Sequence, residues 1–110
     1  MQNLIRQTIG FLQIEKPYKI VLKPALKGNA AEYYEMRRKG RLVSHLIRVS
    51  VDNLHTDSRC LNTLIVHEFI HAWQAENGIV EIHGREFRKQ AKSLGNILNL
   101  DNIYIKGVDV

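Results

Sequence analysis

The chain has 110 residues, 45% of them apolar and 25% charged, with a single cysteine and a formal charge of +5. That length fits one domain with a core of its own, the apolar share excludes a disordered chain, and the lone Cys60 excludes an internal disulfide or a four-cysteine zinc ribbon. No apolar run approaches the ~20 residues of a membrane span and the opening MQNLIRQTIGFLQIEKP has no signal-peptide core, so the expectation is a cytoplasmic chain with no membrane partner.

In chain order, residues 3–13 place Leu4, Ile5, Ile9 and Leu12 at helical spacing, which predicts an amphipathic helix stopped by Pro17. Tyr18–Leu22 reads as a short strand closed by Pro24 and a loop at Lys27-Gly28-Asn29. Residues 30–52 read as a hairpin turning at Arg38-Lys39-Gly40. In its second arm Val43, His45, Ile47, Val49 and Val51 share the inward face. After a polar loop containing His55, a long helix is predicted from about Arg59 to Asn77, with Gly78 as its stop. Phe69, Ile70, Ala72 and Trp73 nearly encircle it, so it belongs in the interior. A further helix begins near His83 or Gly84 with the stripe Phe87, Ala91, Leu94 and Leu98, and the tail NIYIKGVDV reads as a final edge strand.

The charge is uneven. Residues 1–52 carry ten Lys/Arg against four Asp/Glu, and residues 53–110 carry six against seven. The basic half, with Arg37, Arg38, Lys39 and Arg41 at the hairpin tip, suits a polyanion such as nucleic acid and equally suits a solvated surface.

The informative segment is His67-Glu68-Phe69-Ile70-His71, an HExxH pattern within the interior helix. Histidines four apart share one helix face, so two imidazoles can converge on one ion. Glu68 is turned away from direct ligation and placed to hold a water on the ion. Two imidazoles and a carboxylate on an apolar helix need a compensating partner, which a divalent cation supplies. An open tetrahedral zinc site wants a third protein ligand. His83 is the best candidate, with Glu76 and Glu81 as competitors; Gly84 beside His83 permits close backbone approach. His45 reads as a packed core histidine, His55 as solvated, and Cys60 as a small apolar filler whose thiol a helix N-terminus would modestly activate.

With these residues assembled, the chain resembles the SprT-like zinc metallopeptidase domain. The resemblance rests on Thr63–Val66 leading into HEFIHAW, on His83-Gly84-Arg85-Glu86-Phe87 as an HGxxF segment, and on the strand ending Leu46–Ser50. It is good over about residues 40–95 and weak before them. It implies an α+β fold, a minimal zincin-like domain whose small antiparallel sheet packs beside the active-site helix and a second ligand-bearing helix. It also implies Zn2+ held by His67, His71 and His83, with Glu68 as general base toward a zinc-bound water, and protein or peptide as substrate. A eukaryotic member acts on proteins crosslinked to DNA, which would give the basic half a DNA partner. A donor to the developing oxyanion is expected, with His45, Tyr33 and Tyr34 as candidates. The competing reading is a non-catalytic, zinc-stabilised nucleic-acid-binding domain.

Overall fold

The computed structural model describes residues 2–24, 29–50 and 59–109. Helix α1 (Gln2–Leu12) turns Thr8 and Leu12 inward, with Leu4, Ile5 and Ile9 half-buried beside them. Its stop comes four residues before Pro17. Gln13 adopts a left-handed φ of 56°, and the Ile14 N–H donates to the Ile9 carbonyl at 3.2 Å, closing the orphaned end of the helix.

Strands β1 (Tyr18–Lys23), β2 (Ala31–Arg38) and β3 (Arg41–Ser50) form one sheet in the order β1-β3-β2. The β2–β3 hairpin is antiparallel, and Lys39 and Gly40 both take positive φ, as a type I′ turn requires. β1 joins the other side of β3 in parallel, with Tyr18 opposite His45, so the sheet is mixed rather than purely antiparallel. On β3, His45, Ile47 and Val49 are buried, whereas Val43, expected inward, is exposed near the hairpin tip. Val51, His55 and the loops expected around Lys27-Gly28 and over 52–58 lie outside the described residues.

Helix α2 (Leu61–Glu76) is central: it packs against β2, β3, α1 and a last helix α3 (Arg85–Leu98). Every residue from Thr63 to Ile70 is buried. That is the encircling apolar pattern read from the sequence, and it fills the space between sheet and helices with Val66, Phe69 and Ile70. Gly78, at φ 66°, ends α2, with the Ile79 N–H donating to the Gln74 carbonyl at 3.0 Å. α3 buries Phe87, Ala91 and Leu94 and keeps Arg85, Arg88, Lys89 and Lys92 exposed. Among the described residues, no helix is long and apolar enough to cross a membrane.

The tail is not an edge strand. Its polar groups are taken by side chains and by its own turn, where the Ile105 carbonyl accepts the Val108 and Asp109 N–H groups at 3.2 and 2.9 Å, instead of a neighbouring ladder. Arg59 donates through both terminal nitrogens to the Asp109 carboxylate, at 2.8 and 3.1 Å, and Asp109 also accepts the Ile105 N–H at 2.8 Å. Asn99, at a left-handed φ of 55°, turns the chain out of α3, and Ile103 is buried in the core.

Candidate metal centre

His67 and His71 occupy one face of α2, one turn apart, with ring centroids 5.0 Å from each other. His83 stands on the turn just ahead of α3 rather than in the helix, because Gly84 is the extended N-cap and helical geometry begins at Arg85. A Cβ at position 84 would run into the Glu81 side chain folded over it. The turn brings His83 Nε2 to 3.2 Å from His67 Nε2. One nitrogen from each of His67, His71 and His83 lies within 4.8 Å of the others.

Both α2 imidazoles have their Nδ1 atoms engaged. His67 Nδ1 donates to the Ile103 carbonyl at 2.7 Å, and His71 Nδ1 donates to Gln74 Oε1 at 2.9 Å. A ring that gives its Nδ1 proton to an acceptor carries a lone pair on Nε2 when neutral. Burial keeps both rings neutral, pushing the pKa of His67 and of His71 down to about 4. The rings therefore present bare Nε2 atoms to the space that His83 closes. Phe87 forms the apolar backing: its ring is fully buried, with its centroid 4.7, 4.8 and 4.9 Å from those of His67, His71 and His83.

Glu68 is buried beside this cluster, and no group among the described residues hydrogen-bonds its carboxylate. Burial pushes its pKa up to about 8, outweighing the opposing pull of the Arg59 guanidinium. Glu68, Arg59 and the three histidines line a cleft of about 830 Å³, walled on one side by β2 and on the other by Ile79, Val80 and Ile82.

These residues fit a divalent cation. The donors are three imidazole nitrogens, and the 3.2 Å between two of them matches the ~3.3 Å edge of a tetrahedron with ~2.05 Å metal–nitrogen bonds. A cation would also compensate the buried Glu68 carboxylate.

The competing carboxylates are elsewhere. Glu76 accepts the backbone N–H groups of Glu15 and Lys16, at 2.9 and 3.0 Å, and meets His45 Nε2 at 2.6 Å. The side chain of Glu81 packs over Gly84. His45 is a core histidine, 1% exposed, with Nδ1 at 2.6 Å from the Tyr33 hydroxyl. Of the three oxyanion-donor candidates, Tyr33 alone lines the cleft; burial raises its pKa, so its hydroxyl stays protonated. Tyr34 instead donates to Glu32 at 2.9 Å. Cys60 is exposed at the N-cap of α2 rather than filling the core, and its contact with Thr63 lowers the thiol pKa.

Gln74, the Ile103 carbonyl and the Arg59–Asp109 pair support the site without having been singled out for it in the sequence, whereas Phe87 is the last residue of the HGxxF segment. Gln74 carries a usable signal, since it follows His71 by three and shares its face of the helix. A backbone carbonyl carries none.

A search of curated proteins gives no match. A family model described as the SprT-like family matches residues 2–106, taking in the first forty residues where the sequence resemblance is weakest. With the histidine cluster, the mixed sheet and the central helix on one chain, this match shows that the protein belongs to the SprT-like family.

Proposed function

We propose that this chain is a zinc-dependent metallopeptidase that hydrolyses peptide bonds. The observation that carries the reading is the meeting, in one cleft, of three histidines and a buried carboxyl. When bound, Zn2+ supplies Lewis acidity toward a water and a scissile carbonyl. His67 and His71 offer bare Nε2 atoms, His83 adds the third nitrogen, and Phe87 keeps solvent from behind the rings.

Glu68 acts as general base. Its carboxylate takes a proton from the attacking water and returns it to the departing amine. Burial raises its pKa to about 8 in the metal-free chain, and a cation beside it would favour the ionised form that a base needs. Tyr33, on the opposite wall, is the candidate donor to the carbonyl oxygen once its O–H turns from His45 Nδ1, 2.6 Å away. A peptide suits the cleft because β2 is an edge strand, and its residues from Ala31 to Tyr33 line the opening. An extended substrate can hydrogen-bond to such an edge.

The exposed Arg38, Lys39 and Arg41 at the hairpin tip favour substrates bound to DNA, and the same residues favour the second reading, a non-catalytic domain that binds nucleic acid and uses zinc for stability. One experiment separates them. Bound metal is measured, and cleavage of a DNA-binding protein is followed with and without DNA, with Glu68→Gln as control. The peptidase reading expects zinc in both chains and cleavage only with Glu68. Salt-sensitive DNA binding without cleavage under any condition supports the second.

A further inference from the structure

The Gln74 side chain is 4% exposed and uses both ends of its amide. Nε2 donates to the Glu81 carbonyl at 3.0 Å, and Oε1 accepts from His71 Nδ1 at 2.9 Å. We infer that Gln74 is a positioning residue that couples the approach of the His83 segment to the protonation pattern of His71.

The coupling follows from donor and acceptor types. A main-chain carbonyl only accepts, so the Glu81 carbonyl admits the NH2 end of the amide and rejects the oxygen end. That choice turns Oε1 toward His71. An amide oxygen also only accepts, so His71 must carry its proton on Nδ1. The lone pair then lies on Nε2, where His67 and His83 converge. A carbonyl two residues before His83 thus decides which nitrogen of His71 is bare. The main chain of Gln74 holds the same connection, its carbonyl accepting the Ile79 N–H at 3.0 Å beyond Gly78. If residues 79–83 move away, the amide is free to reverse, and an NH2 group facing Nδ1 favours the opposite tautomer.

The alternative is a buried glutamine that satisfies its own amide and leaves the tautomer indifferent. The tautomer distinguishes the two. Long-range 15N–1H spectra of the metal-free 110-residue chain read the protonated nitrogen of each imidazole, and Co2+ titration reads affinity. The unsubstituted chain is expected to show His71 protonated on Nδ1. Gln74→Leu, which removes both contacts, is expected to lose that preference and to bind Co2+ ~10–100-fold more weakly, the range typical of residues that orient metal ligands. Gln74→Glu keeps an acceptor for Nδ1, so it is expected to restore the tautomer and part of the affinity.

An Nε2-protonated His71 in the unsubstituted chain overturns the inference, and so does Gln74→Leu with tautomer and affinity unchanged. Should Gln74→Leu fail to fold, the spectra of the unsubstituted chain and of Gln74→Glu still decide. The affinity arm rests on the metal reading; if the unsubstituted chain binds no Co2+, that reading fails while the tautomer result stands by itself.

Discussion

Glu68→Gln should stabilise the metal-free protein, by an amount that grows with pH. In the fold the Glu68 pKa is pushed from 4.5 up to about 8 by burial. Between those values the folded chain holds a proton that the unfolded chain has lost, so stability falls as pH rises through the window. The full displacement corresponds to a penalty of about 5 kcal/mol above pH ~8, at ~1.4 kcal/mol per pH unit, and to none below pH ~4.5. Glutamine has nearly the same shape and no charge to desolvate. Urea denaturation of both chains, metal-free, across pH 5–9 gives the difference directly. Titrations common to both chains, those of the histidines included, largely cancel in it. The gain should be small at pH 5, rise steadily and flatten near pH 8. Adding Zn2+ should shrink it, since a cation beside an ionised carboxylate offsets its desolvation. A difference that does not vary with pH, or a variant less stable at pH 8, refutes the claim that burial raises the Glu68 pKa in the fold.

Acidification tests the histidines. The pKa values of His67 and His71 near about 4 lie below their ordinary 6.5, so the unfolded chain binds more protons between those values. The stability these rings contribute is present above pH ~6.5 and is lost as pH falls toward ~4, about 3 kcal/mol for each ring; a metal-free Glu68→Gln chain melted from pH 7 to 4 should show that decline. His83→Ala should lose zinc affinity by more than the ~100-fold seen when only a supporting residue is removed, as measured by competition with a chromophoric chelator. Arg59→Ala leaves the Asp109 carboxylate buried and unpaired, which should cost about 3–5 kcal/mol by chemical denaturation, whereas Arg59→Met combined with Asp109→Leu should recover most of it.

Much of the fold was legible because its elements follow local rules. The hairpin announces itself by a glycine that accepts positive φ at the turn, and α2 by apolar residues on all sides. Three misreadings have physical causes. Pro17 looked like the stop of α1, yet Gln13 in a left-handed conformation had already closed the helix. Parallel pairing of β1 with β3 leaves no local mark, because it is set by how α1 and β1 pack on the rest. The tail reads as a strand by composition, but the Arg59–Asp109 pair and the demand of His67 for a carbonyl fold it into turns.

The candidate site shows the same gradient with sequence distance. His67, Glu68 and His71 are visible as a spacing on one helix, and His83 follows within a single connection. Their supports come from further away and in less readable forms. Gln74 is one helical step from His71, and its identity alone suggests an acceptor. The Ile103 carbonyl is 36 residues from His67 and has no side-chain signature. Arg59 reaches across 50 residues to Asp109, and together they hold the turn that presents that carbonyl. Removing the pair should therefore act on His67 from the wall of the cleft, through a backbone group that no side-chain substitution can delete.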